Sequence, residues 1–404
     1  MEASAQNIST LTTAMRRNLF LLACCQAVGQ AGNVIMFSAT ALSVITFFPN
    51  RDLATLPTTL QFVGVMLALF PAAAIMMRMG RGFGFRTGSV FGLAGAGFSA
   101  LGLYTSSFLL MCLGGLVLGF SVASLQMYRL AAVELAPPHF HARAIAWVTT
   151  GGVVAGILGP AITRLSFDAM MPLYLATYLA VMGVHVIVFL LMSFIRFPPV
   201  QPAAVRTQGP QRSLWEIAVQ PRFAGAVIAG IGGYGTMLFM MSASPLAIVG
   251  CGLPETEVPL VIFLHVMGMF VPSFFTGNLI NRFGVVNVMG AGAVILLASV
   301  LVALDGMTAW HFRIALGLTG VGWNFLFIGS TLLVTTCYRP SERGKAQALN
   351  DFLIFTASAS SSFLAGFLQE RLGWIILNWA SVGLIAVALG AVLWLRLRPQ
   401  PAPA

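Results

Sequence analysis

Long apolar segments separated by short polar loops recur along the whole chain. Twelve of them approach or exceed the ~20 residues that an α-helix needs to cross a hydrocarbon core of ~30 Å. Each is a continuous apolar stretch and not the alternating pattern of a membrane strand, so all twelve are predicted to be helices. The predicted spans are residues 19–48, 57–77, 87–106, 108–133, 144–167, 172–195, 222–250, 257–280, 285–304, 309–336, 346–369 and 373–395.

The composition agrees with helices that lie in lipid. Of the 404 residues, 58% are hydrophobic and 8% are charged, and the mean hydropathy is +0.91. A helix pairs its own backbone polar groups, as the bilayer interior requires, so we predict an all-α membrane protein. The first apolar segment follows Arg16 and Arg17 and is too long for the core of a secretory signal, which makes it the predicted first span.

The basic residues are distributed unevenly between the two predicted sides of the membrane. If the N-terminus is cytoplasmic, 17 of the 21 arginines and lysines fall on the cytoplasmic side. The outer side receives Arg51, Arg164, Arg313 and Arg371. Because cytoplasmic loops are enriched in basic residues, both termini are predicted to lie in the cytoplasm. The net charge of +10 then reflects topology, and nucleic acid is not predicted as a partner.

A polar break divides the spans into six and six. Residues 196–221 are rich in proline, glutamine and arginine, which is typical of a linker. We predict that this cytoplasmic linker joins an N-terminal half, 1–195, to a C-terminal half, 222–404.

The two halves resemble each other in sequence. PHFHARAIA at 138–146 aligns with PSERGKAQA at 340–348, and RGFG at 81–84 aligns with NRFG at 281–284. The offsets are 202 and 200 residues, so the register is nearly constant. A parallel repeat of six helices with short basic loops is typical of transporters.

The loop after the second span, MRMGRGFGFRTG, resembles the glycine- and arginine-rich cytoplasmic loop of the major facilitator superfamily. This resemblance covers essentially the whole chain and implies two six-helix halves that alternate access to a central site. The loop lacks the acidic residue of the family pattern, with Arg81 and Gly82 where Asp-Arg is common. Its counterpart has Asn281 and Arg282, which leaves open whether the family's gating ion pair forms here.

The predicted fifth span contains GGVVAGILGP at 151–160, which is similar to a motif common in antiporters. Its glycines, Gly152, Gly156 and Gly159, allow close contact with a neighbouring helix. We interpret them as a packing feature and not as a signal of transport direction.

Ionisable residues inside a membrane are costly and are therefore functional candidates. Arg129 and Glu134 lie near the inner end of the fourth span, and Asp351 lies near the inner end of the eleventh. With Arg81 and Arg282 of the cytoplasmic loops, they are predicted to pair at a cytoplasmic gate or to couple an ion to transport.

One histidine and three methionines share a predicted depth in the seventh and eighth spans. Met237 and Met241 lie four residues apart in one span, and His265 and Met269 lie four apart in the next. Each pair lies on one helix face, ~12–20 Å below the outer end of its span. Three thioethers and one imidazole favour Cu(I) over hard cations. The alternative is that the methionines only fill the core, as His185 is predicted to do in the sixth span.

This constellation resembles the CcoA-type copper importers of bacterial inner membranes, which are members of the same superfamily. The resemblance implies that Met237, Met241, His265 and Met269 bind copper on its way to the cytoplasm. It further implies a supply of copper to cbb-type cytochrome c oxidase assembly, through a cytoplasmic acceptor protein. Cys251, at the outer end of the seventh span, is a candidate relay to Met241.

Two other functions remain open at this point. A transporter of drugs or other small organic solutes, with or without proton coupling, fits the same fold. A metal sensor or assembly scaffold fits the same four side chains. An enzyme is not predicted, because the chain has no nucleophile–base constellation, no cofactor motif and no GxxxxGK[ST] nucleotide loop. We therefore predict a monomeric secondary transporter without a cofactor.

Overall fold

The computed structural model describes residues 12–137, 140–198, 212–339 and 342–397. The N-terminal half contains α1 (Thr13–Ile45), a 3₁₀ turn (Arg51–Leu53), α2 (Leu56–Met79), α3 (Arg81–Tyr104), α4 (Phe108–Gln126), α5 (Tyr128–Glu134), α6 (His141–Ser166) and α7 (Leu175–Ser193). The C-terminal half contains α8 (Leu214–Ala218), α9 (Pro221–Gly250), α10 (Glu257–Phe270), α11 (Ser273–Phe283), α12 (Val285–Asp305), α13 (Ala309–Thr335) and α14 (Arg343–Leu397). Half of the predicted linker, residues 199–211, lies outside the described residues, as do Pro138 and Pro340.

These helices form the twelve predicted spans, and two of the spans contain an interruption. The predicted span 108–133 is interrupted at Met127, and the predicted span 257–280 is interrupted at Val271 and Pro272. The eleventh and twelfth spans follow each other within α14 and are separated by a kink at Gly373, which agrees with the predicted boundary; its φ of 76° is readily adopted only by glycine. By length and composition, nine of the described helices could cross a membrane, or ten if the bent pair α10–α11 is one span.

The sharp turns after the second and eighth spans correct the register of one sequence repeat. Gly80 separates α2 from α3 with φ 92° and ψ 158°, and Gly284 separates α11 from α12 with φ 84° and ψ 149°. Since the two glycines are structurally equivalent, Arg78 corresponds to Arg282, and the alignment of RGFG with NRFG was wrong by four residues. The other repeat keeps its predicted offset, because α6 begins at His141 and α14 at Arg343.

The glycines of the predicted fifth span pack where the two halves meet. A side chain at Gly152 would collide with the ring of Phe270, and one at Gly156 would collide with Met267 on the same helix, α10. Gly159 lies in similarly close contact with α1. The packing interpretation of these glycines is confirmed, and α6 with α10 forms one of the two main contacts between the halves.

The second main contact between the halves joins α2 to α14 and is closed at one end by hydrogen bonds. Asp52 binds Arg371 there, and a side chain at Gly366 would collide with Thr55. Nearby, the hydroxyl of Tyr174 donates to Glu255 Oε2 at 3.0 Å. The sequence assigns this end to the outside of the membrane, and we call it the outer end.

Candidate functional site

Three aromatic side chains form a cluster in the C-terminal half, and we call Tyr234, Trp323 and Phe327 the aromatic group. The rings of Trp323 and Phe327 are stacked, with centroids 4.8 Å apart and an interplanar angle of 8°. Tyr234 lies edge-on to both, with centroids 5.3 Å and 5.7 Å away. Trp323 is buried, whereas Tyr234 and Phe327 are half-buried. Tyr234 and Phe327 therefore keep part of their aromatic surface exposed.

Helix spacing and one glycine explain why these rings meet. Trp323 and Phe327 lie four residues apart on α13 and so share one face. Gly233 of α9 packs against the side chain of Leu326 on α13, which lets the two helices approach closely. The next residue on α9 is Tyr234, and this approach brings its ring against the stacked pair.

Trp323 carries a polar atom that the protein leaves unpaired. Its indole nitrogen is buried and has no hydrogen-bond partner among the residues that the structure describes, and the whole residue is 5% exposed. Leaving a buried donor unpaired costs about 1–3 kcal/mol, so such an atom in a transporter marks a place where a ligand can supply the acceptor.

Opposite charges from the two halves flank the aromatic group. Arg129 of α5 interacts electrostatically with Tyr234 and with Asp351 of α14. Asn350 Nδ2 donates to Asp351 Oδ1 at 3.0 Å. Because Arg129 belongs to the N-terminal half and the other three residues to the C-terminal half, the aromatic group faces the cleft between the halves.

The predicted gate residues divide into separate interactions. Arg81 forms a salt bridge of 2.6 Å with Glu134 inside the N-terminal half. Arg282 stacks over the ring of Phe283, with its guanidinium carbon 5.2 Å from the ring centroid. Arg129 and Asp351 interact across the cleft without a salt bridge of 4 Å or less. A single paired gate containing all five residues does not form in this conformation.

His265 is fully buried where α10 packs against α13. Its Nδ1 donates to the carbonyl of Leu316 at 2.8 Å, which leaves Nε2 as the acceptor. Within the described part of the chain, Nε2 has no hydrogen-bond partner. A histidine that binds a metal commonly uses its other nitrogen in this way, so the tautomer is compatible with a ligand at Nε2.

The three methionines predicted to accompany His265 have different surroundings. Met237 and Met241 of α9 are buried, whereas Met269 of α10 is half-buried. α10 packs mainly against α13 and α6, and α9 packs mainly against α14 and α13, so the two helices touch over only a few residues. The buried Met240 accepts a hydrogen bond of 3.4 Å from Thr319 on α13. A four-ligand metal site therefore stays a prediction.

Cys251, the predicted relay, lies at the outer end of α9. Its thiol is 3.5 Å from the sulfur of Met307, and ten residues of helix, or ~15 Å, separate it from Met241. Burial raises the pKa of the Cys251 thiol, which keeps it protonated at neutral pH. The relay stays a prediction, and its first contact is Met307.

Asn324 holds the break in the eighth span together. Pro272 has no backbone N–H, and α10 and α11 meet at an angle of 41°. Asn324 Nδ2 donates at 2.7 Å to both the carbonyl of Met269 and the hydroxyl of Ser273, and its Oδ1 accepts from Thr276 at 2.7 Å. One buried side chain from α13 thus replaces the helical hydrogen bonds that the break removes.

A small recess in the N-terminal half is lined by apolar side chains and by a few polar ones. Gln61 Nε2 donates to Asn33 Oδ1 at 2.8 Å at its wall, and Tyr128 and His185 also line it. Nδ1 of His185 lies 3.5 Å from the Ser121 hydroxyl. The ring also packs against α3 and is 6% exposed, which agrees with a packing role.

Sequence reasoning missed the aromatic group and the amide pair. A usable signal existed for both, since Trp323 and Phe327 lie four residues apart in a predicted span, and Asn33 and Gln61 are uncharged amides inside the first two. The pairing with Tyr234 has no sequence signal, because it depends on which helices are neighbours.

Comparison with known proteins identifies the family to which the chain is similar. Residues 225–404 match the family profile of the Major Facilitator Superfamily. The riboflavin transporter RfnT of Brucella anthropi is 40% identical over 400 residues, which cover 98% of this chain and 99% of the relative. The uncharacterised MFS-type transporter YddS of Bacillus subtilis is 26% identical and is aligned over 95% of this chain and 92% of its own.

Solved structures share the fold at low sequence identity. A D-xylose–proton symporter superposes with a TM-score of 0.72 at 14% identity, covering 95% of this chain and 98% of its own. The fucose–proton symporter FucP of E. coli superposes with a TM-score of 0.62 at 15% identity, covering 96% and 98%. Transporters of this type work as monomers in a lipid bilayer, and they need no cofactor. The chain belongs to the major facilitator superfamily and is a multi-pass membrane transporter, not an enzyme.

Proposed function

We propose that this protein is a secondary transporter of an organic solute of the riboflavin type. The observation that carries the proposal is 40% identity to a riboflavin transporter over 98% of the chain. An alignment that spans both halves includes every helix that lines the cleft. The organic-solute alternative is therefore better supported than copper import, and a role in oxidase assembly has no support from these relatives.

The chemistry of the cleft suits such a solute. Riboflavin combines an extended aromatic ring system with a chain of hydroxyl groups and has no net charge at neutral pH. The aromatic group offers surface for the ring, and Asn33 with Gln61 offers amide groups for hydroxyls. Arg129 and Asp351 bring one charge of each sign. Because these charges offset each other, a neutral substrate leaves no net charge of this pair unbalanced in the cleft.

Transport proceeds by alternating access in this proposal. The outer end is held by Asp52 with Arg371 and by Tyr174 with Glu255, and these contacts must separate when the cleft opens outward. We place the protein in the bacterial inner membrane with both termini in the cytoplasm, on the strength of the 17-to-4 distribution of basic residues. The domain division at 196–221 is part of the same proposal.

Copper import is the second candidate, and one observation favours it. The free Nε2 of His265, with Nδ1 bonded to a carbonyl, is prepared for a soft metal ion. Met237, Met241 and Met269 would supply thioethers, Cys251 would receive the ion, and a cytoplasmic acceptor protein would remove it. In the described part of the chain no other polar side chain contacts Nε2. Copper import is therefore the less well supported of the two candidate functions.

Uptake measurements separate the two candidates. The protein is expressed in a riboflavin-auxotrophic bacterium without a riboflavin importer, and cellular [14C]riboflavin and copper are measured beside an empty-vector strain. We expect growth at low riboflavin and saturable riboflavin uptake that unlabelled riboflavin, but not D-xylose, inhibits. Riboflavin accumulation equal to that of the vector strain, with the protein present in the membrane, would refute the proposal. Copper accumulation alone would favour the second candidate.

A further inference from the structure

We propose that the aromatic group is the recognition site for the planar ring of the solute, with the Trp323 indole N–H donating a hydrogen bond to a carbonyl or ring nitrogen of that solute. The inference rests on the proposed function and adds to it the residues, the chemical class that they select and the part of the solute that they hold.

The shape of the aromatic group selects a flat conjugated ligand. Trp323 and Phe327 lie nearly parallel, and Tyr234 stands at 77° and 73° to them. The cluster therefore has a stacking face and a wall nearly perpendicular to it. A tricyclic ring placed on the face contacts the wall with its edge, and both geometries are favourable for aromatic rings. A compact sugar makes neither contact over a comparable area.

Exposure determines which residues the ligand meets. Tyr234 and Phe327 are half-buried and Trp323 is 5% exposed, so a ligand reaches the first two side chains more easily. The indole nitrogen is at the perimeter of its ring, and no described residue accepts a hydrogen bond from it. A heteroaromatic ring with carbonyl groups, as in flavins, supplies the missing acceptor, which a purely hydrocarbon ring cannot do.

The charges near the group select against anions. Arg129 and Asp351 both act on Tyr234, and their opposite charges offset each other. A neutral ring meets no uncompensated charge there. A phosphorylated flavin carries about two negative charges at neutral pH, and Arg129 would be shared between that phosphate and Asp351. The site is therefore specific for the unphosphorylated solute.

Binding to purified protein in nanodiscs tests the inference with two probes. Riboflavin contains ring and hydroxyl chain, and lumichrome contains the ring without the chain. The quenching of flavin fluorescence gives Kd for the wild type and for Trp323→Phe, which keeps an aromatic ring and removes the N–H. We expect Trp323→Phe to weaken binding of both probes by about fivefold to tenfold, as for one hydrogen bond to a buried donor. Phe327→Leu is expected to weaken both by at least about tenfold through lost stacking.

Trp379→Phe is the matched control, because Trp379 is 61% exposed on α14 and lies outside the aromatic group. It is expected to leave both Kd values unchanged, and flavin mononucleotide is expected to bind the wild type more weakly than riboflavin. Monodisperse elution of each variant establishes that it is folded, and Trp323→Phe keeps a six-membered aromatic ring at this position.

Failure of the inference is distinguishable from failure of the proposed function. Wild-type binding and uptake of riboflavin with unchanged Kd in Trp323→Phe and Phe327→Leu overturns the ring site and leaves the function standing. Lumichrome binding that these variants lose, without riboflavin uptake by the wild type, supports the ring site and overturns the function. A wild-type protein that binds neither probe overturns both.

Discussion

Arg371 holds Asp52 across the outer end of the cleft, with its Nε and Nη2 both donating to Asp52 Oδ2, at 2.9 Å and 2.6 Å. The two residues belong to different halves and are separated by 319 positions in the chain. The side chain of Arg371 is 60% exposed, so the ion pair is weak and can be broken during a transport cycle. A weak link suits a gate, because each cycle must open it.

Replacing Asp52 by asparagine is expected to shift the protein toward the outward-open state. An exposed ion pair contributes about 0.2–1 kcal/mol, which corresponds to a shift of up to about fivefold between the two conformations. The measurement is the rate of maleimide labelling of a cysteine placed at Thr55, in a background without the five native cysteines. Thr55 is 1% exposed in this structure, and a cysteine there becomes accessible to maleimide when the outer end opens.

Arg51→Gln provides the matched control, since Arg51 is an exposed neighbour of Asp52 and has no salt bridge in the described structure. The double exchange Asp52→Arg with Arg371→Asp is expected to restore slow labelling. Equal labelling rates in Asp52→Asn and the wild type would mean that the ion pair does not hold the outer end closed.

Asn324 is expected to be the polar residue on α13 whose loss destabilises the fold most. Asn324→Leu leaves the carbonyl of Met269 and the hydroxyl groups of Ser273 and Thr276 without this partner inside the protein. One to two unsatisfied buried groups cost about 1–3 kcal/mol each. Thermal unfolding in detergent is expected to show a lower midpoint for Asn324→Leu than for Asn287→Leu, an exposed asparagine on α12. Equal midpoints would show that the break at Pro272 does not need the amide.

The sequence predicts well how deep a residue lies in the membrane, but it predicts poorly which helices pack against each other. His265 illustrates the difference. Its height follows from a rise of ~1.5 Å per residue along α10. Its direction depends on which helix packs there, and that helix is α13, with Leu316 as partner, and not the sequence-adjacent α9. The partners Tyr234 and Trp323 were missed for the same reason, because they are 89 residues apart and share no pattern.

The twelve spans could be predicted because hydropathy is a property of single segments. The interruptions could not be placed as reliably. The break at Pro272 is local in origin, but it is tolerated only because Asn324, 52 residues away, supplies hydrogen bonds. The register of the RGFG repeat was predicted wrongly for a related reason. The equivalent turns are defined by the positive φ of Gly80 and Gly284 and not by similarity of the neighbouring residues.

His265→Leu distinguishes flavin transport from copper transport. The substitution removes the free Nε2 and the hydrogen bond from Nδ1 to the Leu316 carbonyl, and it fills a similar volume with an apolar side chain. We expect riboflavin uptake to stay within about twofold of the wild type, since the side chain of His265 bonds to Leu316 and is not a member of the aromatic group. Abolished riboflavin uptake by a folded His265→Leu protein would place His265 in the solute site. Copper uptake by the wild type that this variant loses would instead support the metal site.

Glu342 is expected to make the stability of the cytoplasmic connection depend on pH. Its carboxylate accepts hydrogen bonds from the Nε, Nη2 and backbone N of Arg212 and from the backbone N of Arg339, at 2.6–3.0 Å. Arg212 and these backbone groups hold the pKa of Glu342 well below its usual value of 4.5. A lowered folded-state pKa means that the unfolded chain binds the proton more readily. The stabilisation is therefore complete above about pH 5 and is lost as pH falls through the folded-state pKa.

Glu342→Gln removes the charge and is expected to remove this pH dependence. The thermal midpoint of the variant in detergent is expected to lie below that of the wild type at pH 7, and the gap is expected to narrow as the pH falls below about 4.5, where the wild-type carboxylate begins to lose its advantage. Glu370→Gln, at an exposed position on α14, serves as control and is expected to follow the wild type at every pH. A gap between Glu342→Gln and the wild type that stays constant from pH 7 to pH 3 would show that Glu342 acts by packing and hydrogen bonding alone. The charge pair with Arg212 would then not be the link that ties the end of the linker to the turn before α14.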